Sequence, residues 1–375
     1  MDAESQDLGD NGGLGAYPTS IAEWRRIVAA YQKPSAWRAG WQVVSTLGAY
    51  ALVWAGLYFF VSTSWFPTLL LVVLAGALLV RLFILFHDCT HDSFFPSRRA
   101  NMILGFVTGV LTFTPFRHWR WEHSQHHATA GDLDRRGTGD IWTMTVEEYR
   151  NASRWRRLAY RLARHPIVLF LIAPVPLFLV WQRFPAKGSG RAERRSVWWT
   201  DLAIIGMVAG MSWLFGFPEY LLLQLGTLLI GGAAGVWLFY VQHQFEGVTW
   251  ARRAEWDFVA AALEGSSFYR LPRVLQWFSG SIGYHHIHHL NPRIPNYNLE
   301  RCHRAVARFY AVPPVTLFGS LRSLGFRLWD ERGGRLVGFG HLRKQSGAVE
   351  KNAAPAPSGE RAEPDQREKS GGAPE

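Results

Sequence analysis

Four long apolar runs constrain this chain more than any other feature. Residues 41–65, 67–86, 199–217 and 220–241 are dominated by aliphatic and aromatic side chains, and Arg81 is the one basic residue inside them. Runs of about 20 such residues match the thickness of a bilayer's hydrocarbon layer. Buried helices of a soluble protein rarely reach that length in pairs. A chain crossing lipid must satisfy its own backbone hydrogen bonds, so each run is expected to be a membrane-spanning helix.

Charge then fixes the parity of crossing. The connectors Ser62–Pro67 and Gly216–Glu219 carry no Lys or Arg, whereas the other flanks are rich in them: Arg25, Arg26, Lys33 and Arg38, then Arg98 and Arg99, then Arg183, Lys187, Arg191, Arg194 and Arg195, then Arg252 and Arg253. The positive-inside rule places all of these flanks in the cytoplasm. That holds only if two shorter apolar stretches, Met102–Phe116 and Pro166–Trp181, do not cross. The first is too short, and the second is interrupted by Pro174 and Pro176. The expected fold is an all-α integral membrane protein, with four transmembrane helices in two hairpins and a cytoplasmic helical cap. Residues 1–40 form a cytoplasmic N-terminal segment and residues 41–345 the membrane domain. Residues 346–375, poor in apolar side chains, are expected to be a disordered tail. The acidic, glycine-rich start has no apolar core of a signal peptide, and no internal repeat is evident.

Nine of the fourteen histidines fall in three short runs: His87-Asp-Cys-Thr-His91, His123-Ser-Gln-His126-His127 and His285-His286-Ile-His288-His289. Spacings of three and four put these rings on one face of a helix. Packed imidazoles repel when charged and leave hydrogen-bonding capacity unmet when neutral. A metal removes both problems, because neutral imidazole is a common metal ligand. The four-span topology delivers all three runs, and His243 at the end of the last span, to one compartment. Nitrogen-only coordination favours iron, zinc, copper or nickel over magnesium or calcium. Eight box histidines plus His243 suffice for two metals with four or five ligands each. Two redox-active metals at the face of a lipid-embedded protein suggest dioxygen chemistry on an apolar substrate.

The order HDxxH, HxxHH, HxxHH resembles the membrane fatty acid desaturases, and the resemblance runs from about Phe83 to His303. Trp119-Arg120 is similar to the W-R that precedes the second box in acyl-lipid members. Ile294-Pro-Asn-Tyr-Asn-Leu299 is similar to a stretch of the Δ12 (ω-6) subgroup. The resemblance implies a four-span protein with a cytoplasmic di-iron centre. Its two iron ions would be held by His87, His91, His123, His126, His127, His285, His288, His289 and the isolated His243. His286 is then an extra imidazole pointing elsewhere. Some family members carry an asparagine four residues before the isolated histidine. Phe239 stands there, so a water-mediated ligand at that point is unsupported.

The implied reaction introduces a double bond into a fatty acyl chain of a membrane lipid, using dioxygen and two electrons. No haem-binding H-P-G-G segment is present, so the electrons are expected from an external donor such as ferredoxin, docking on an Arg-rich face. A hydroxylase or carotenoid ketolase with the same boxes is an alternative outcome of similar chemistry. A metal transporter is a second alternative, disfavoured because its ligands would lie near the bilayer midplane. The net charge of +11 comes mostly from arginine, and is explained by headgroup contact rather than by nucleic acid, which is not expected as a partner. Cys89 and Cys302 suit a reducing compartment, and Cys89 is expected to pack rather than ligate. The location expected is the cell inner membrane, with the site facing the cytoplasm. Asp88, Glu122 and Asp140 are candidates to accept the second N–H of ligating imidazoles. His118, His165, His303 and His341 are expected to be ordinary interfacial or surface residues, and Arg81 to lie near the cytoplasmic headgroups, within reach of a lipid phosphate.

Overall fold

The computed structural model describes residues 20–137 and 139–343. The expected tail, 346–375, and the first 19 residues lie outside the described residues. Fourteen α-helices occur among the described residues. They are α1 (Ile21–Val28), α2 (Ala36–Phe60), α3 (Trp65–Thr90), α4 (Arg98–Leu111), α5 (Phe116–Thr129), α6 (Val146–Asn151), α7 (Arg154–Ala163), α8 (Pro174–Leu179), α9 (Arg191–Phe215), α10 (Phe217–His243), α11 (Phe258–Leu263), α12 (Arg273–Phe278), α13 (His285–Leu290) and α14 (Asn296–Ala305). Short strands join the cap: Met144–Thr145 pairs with Leu328–Asp330, and Phe268–Arg270 with Pro314–Thr316. Met1–Val337 forms one unit and Gly338–Glu375 another.

Four helices are long and apolar enough to cross a membrane: α2, α3, α9 and α10. They form two hairpins, as the charge pattern predicts. Residues 61–64 turn the first, and Gly216 alone turns the second, at a φ of 86° that favours glycine. The outer sides of these helices expose large apolar groups, such as Leu52 at 75 % and Trp213 at 88 %. Surface of that kind belongs in lipid rather than water.

The inner half of α3 is buried on every side, enclosed by α2, α4 and α10. Its crossing with α10 depends on glycine. A Cβ on Gly76 would lie 2.6 Å from Ile230, and one on Gly231 would lie 2.9 Å from the Gly76 carbonyl. Small residues let the two backbones touch. From that contact α3 runs eleven residues to His87 and α10 runs twelve to His243. At 1.5 Å per residue both histidines end roughly 17 Å beyond the crossing, at the same level.

The two doubtful stretches return to the face they leave. Helix α4 descends beside α3, turns at residues 112–115 and comes back as α5. Helix α7 and the helical segment Ile167–Arg183 are bent from each other by 60°, and the chain then comes back to α5, where the Ala186 N–H meets His118. Arg81 does not reach a headgroup. It is 3 % exposed, donates to Thr46 Oγ1 at 3.0 Å and to the Trp277 carbonyl, and lies 4.0 Å over the Trp277 ring. A guanidinium inside the protein needs such partners. Above the spans, Trp24 and Val28 of α1 pack with Ile287, Leu290, Leu299 and Phe309 into a core beneath the third histidine run.

Candidate metal centre

Each box lies on a helix whose spacing aims its rings inward. His87 sits in the last turn of α3 and His91 caps that helix. His123, His126 and His127 are on α5, and His285, His288 and His289 on the single turn of α13. His243 is the last residue of α10.

The nine histidines form two groups. His87, His91, His123, His127 and His288 bring one ring nitrogen each to within 4.8 Å of one another, and so do His126, His243, His285 and His289. The partition follows helical spacing. The i, i+4 pair of the second box serves the five-imidazole group, and its i+3 histidine serves the other. The third box does the reverse. Helices α5 and α13 therefore tie both groups together.

The donor set fits a cation. The Nε2 atoms of His87 and His123, His123 and His127, and His127 and His288 are each 3.0 Å apart. In the second group His243 Nε2 lies 3.1 Å from His126 Nε2 and 3.0 Å from His285 Nε2. Two imidazole–metal bonds of about 2.1 Å at right angles separate their nitrogens by about 3.0 Å. His91 Nε2 and His289 Nε2 are buried without a hydrogen-bond partner among the described residues. Burial, then the neighbouring imidazoles, holds His91, His123, His127, His285, His288 and His289 well below the usual histidine value. The low values of these six favour the neutral ring, the form a ligand must take.

Outer partners set the tautomers. Asp140 Oδ1 lies 2.7 Å from His126 Nδ1, Asp88 Oδ1 3.3 Å from His87 Nδ1, and the Gly265 carbonyl 3.3 Å from His243 Nδ1. A proton held on Nδ1 leaves the Nε2 lone pair free to face the centre. Glu122 does not take this role: it faces His118 at 3.6 Å. His118 is not a surface residue either. It is 2 % exposed and accepts a hydrogen bond from the Ala186 N–H. His303 is likewise buried, 6 % exposed among Phe268, Tyr284 and Phe309. Both lie against aromatic or backbone groups that sequence spacing alone does not reveal. Cys89 and Cys302 are buried and free, and Cys89 belongs to neither group. His286 points away from the centre into a pocket formed with Phe268, His303 and Phe309.

A family model described as Fatty acid desaturase matches residues 63–318. A Bacillus subtilis (strain 168) protein named "Fatty acid desaturase" is 48 % identical over 312 residues, covering 83 % of this chain and 89 % of the relative. The chain belongs to the fatty acid desaturase family. It is an oxygen-dependent desaturase, embedded in a membrane, whose histidine groups can hold metal. More distant relatives include two Synechocystis proteins. An "sn-1 acyl-lipid omega-3 desaturase (ferredoxin)" is 28 % identical over 70 % of this chain and 75 % of the relative. An "sn-1 oleoyl-lipid 12-desaturase" is 26 % identical over 70 % and 73 %.

The two desaturase-like stretches outside the boxes have structural work to do. Trp119 stacks on His123 with ring centroids 4.2 Å apart, and Arg120 donates to Asp92 at 2.8 Å, so this pair joins box two to the end of box one. Along Ile294–Leu299, the Asn296 N–H donates to Asp88 Oδ2 at 2.6 Å and Asn296 Oδ1 accepts from Gln42 at 2.9 Å. Tyr297 donates to the Phe94 carbonyl and accepts from the Ser35 N–H. Asn298 binds Arg38 and the Tyr31 carbonyl. The stretch therefore fastens the segment before α2 and steadies Asp88, and through it His87. Sequence spacing gave no sign of Asn296 or Gly265 in these roles, because each acts through its backbone.

Proposed function

We propose that this desaturase holds two iron ions, one in the five-imidazole and one in the four-imidazole group, and acts on acyl chains of membrane lipids. The observation that carries this reading is the pairing of two nitrogen-only groups built on shared helices α5 and α13. The net reaction is –CH2–CH2– + O2 + 2 e⁻ + 2 H⁺ → –CH=CH– + 2 H2O. Iron in these groups supplies the redox chemistry that couples reduction of dioxygen to removal of the two hydrogens. The protein's own residues hold the rings neutral, fix their tautomers through Asp88, Asp140 and Gly265, and keep bulk water from the centre by burial.

The names of the Synechocystis relatives support an acyl-lipid substrate and ferredoxin or a similar acidic carrier as donor, and the oleoyl-lipid 12-desaturase supports position 12 for the new double bond where the other is named for omega-3. We place the protein in the cell inner membrane, and the charge asymmetry of the connectors supports a centre facing the cytoplasm.

Expression in a host containing only saturated and monounsaturated lipids, followed by mass spectrometry of the acyl chains, tests the reaction. The expected product has lost two hydrogens at carbons 12 and 13. A gain of oxygen instead would replace desaturation with hydroxylation. Metal analysis of anaerobically purified protein should give about two irons per chain, and one zinc with no iron would defeat the di-iron reading. For sidedness, Lys187→Cys and Glu219→Cys both place a thiol at an exposed position. An impermeant reagent added outside intact cells should reach 219 and spare 187.

A further inference from the structure

Helix α7 has a face that the desaturation chemistry does not use. Ser153 caps the helix, its Oγ accepting from the Arg156 N–H at 3.3 Å. One side is anchored: Tyr160 is fully buried and bonds to the Met144 N–H and the Arg327 carbonyl. The opposite side exposes Trp155, Leu158 and Leu162, with Trp155 at 66 %. At 100° per residue these three fall within about 60° of one another, a single apolar row. Arg154 lies on one flank of that row and Arg156 on the other, while Arg161, beside Arg154, donates to the Tyr149 hydroxyl at 2.6 Å. Arg156 and Arg157 are exposed and pair with no carboxylate among the described residues.

The chain beyond α7 fixes its level. After Pro166 the helical segment to Arg183 leaves at 60° and descends beside α10. Phe170 packs on Trp237 and Tyr240, and a Cβ on Gly232 would lie 2.8 Å from Pro174. Gly232 is eleven residues before His243, roughly 16 Å down the span. The outer side of the descending segment exposes Leu171, Ile172 and Val180. A segment with that surface lies in the apolar layer, which leaves α7 at the border between lipid and water.

We propose that α7 lies in the headgroup layer and binds anionic phospholipid, its Trp155–Leu158–Leu162 row immersed and its arginines on the lipid phosphates. Charge alone would suit an acidic soluble carrier equally well. The apolar row decides for lipid, because a basic helix with an aromatic and aliphatic face inserts at the boundary. Long arginine stems on both flanks can lie along apolar surface while their guanidinium groups reach out to phosphate.

The test uses the full chain in lipid nanodiscs of phosphatidylcholine alone or mixed with phosphatidylglycerol. Trp155→Cys carries a polarity-sensitive fluorophore, and Leu158→Cys repeats the measurement should the first variant fold poorly. Cys89 and Cys302 are buried, so the label goes to the new thiol. Lipids brominated in the acyl chain should quench the probe more strongly than aqueous iodide, and phosphatidylglycerol should deepen that quenching. Each arginine near an anionic surface is worth about a fivefold change in local partition. The combined Arg154→Glu, Arg156→Glu and Arg157→Glu variant should therefore lose the response to phosphatidylglycerol. Two results overturn the proposal. One is a probe quenched by iodide and untouched by brominated lipid. The other is a probe indifferent to lipid composition but shielded by an acidic one-electron carrier, which would assign the face to a soluble partner.

Discussion

The two halves of the centre are built from the same residue type but not in the same way. The five-imidazole half is braced from several segments, although His91 in it is only partly buried. Trp119 covers His123, Arg120 ties its helix to Asp92, and Asp88 behind His87 is itself held by the Asn296 N–H. The four-imidazole half has all four rings buried and is braced by Asp140 behind His126 and the Gly265 carbonyl behind His243. A cavity reaches His126 and His243 past Phe239 and Asp140, and Asp140 is 19 % exposed. One half thus has a spare ligand and a carboxylate tied to a distant segment, and the other has four ligands and a carboxylate that faces a cavity. The difference assigns structural steadiness to the first half and a cavity-side approach to the second.

The sharpest way to break this contrast is to remove one ligand from each half on the same helix. His288 and His289 are neighbours on α13 and equally hidden, 0 % and 3 % exposed. His289→Ala leaves three imidazoles in its half, and His288→Ala leaves four. Desaturation should fall by more than about 100-fold in both, since ligand loss exceeds the effect of outer partners. Iron content should separate them: His289→Ala should lose about one equivalent, and His288→Ala should keep more. Equal iron in the two variants would mean that the halves do not differ in reserve.

The carboxylates come next. Asp140→Asn and Asp88→Asn should each weaken iron retention by about 10- to 100-fold. Only Asp88→Asn should also lower the thermal midpoint of the metal-free protein, because Asp88 holds the Asn296 segment as well as His87. A matching loss of stability in Asp140→Asn would erase the distinction between backing and access.

Acid should act on both halves together. The six box histidines held low in the fold stay neutral at a pH where the unfolded chain, with imidazoles near 6.5, takes up protons. The unfolded state binds more protons there, so stability is full above about pH 6.5 and is lost as pH falls below it. Thermal unfolding of the metal-free protein between pH 7.5 and pH 5, round figures either side of that value, should show a steady decline. A flat profile would place these rings in contact with water.

The smallest effect is expected at His286. Burial, and then His303, pushes its imidazole down to about 3, with the Ser267 backbone opposing them. His286→Leu should keep its iron and most of its activity, because His286 belongs to neither ligand group and sits among aromatic rings. Iron loss like that of His285→Ala would bring His286 into the centre.

Much of this protein was legible in its sequence. Run length and connectors free of Lys and Arg predict four spans in two hairpins, because a bilayer leaves helices few alternatives. The i, i+3 and i+4 spacing groups the histidines box by box, because α-helical geometry is local. Which box serves which half was not legible. That depends on α5 and α13 crossing so that each lends its i+3 histidine to the other's group, a matter of helix orientation in space. The depth at which His87 and His243 meet rests on the Gly76–Gly231 contact, where two residues far apart in sequence approach without side chains. Arg81 and His118 were misplaced for a related reason. A polar residue reads as solvent-facing until the tertiary structure supplies Thr46 and Trp277 for the one and the Ala186 N–H for the other. Sequence by itself determined the spans, their pairing into hairpins and the chemistry of the donor set. Only packing decided the partition into five and four, since it alone brings distant backbones and carboxylates against particular rings.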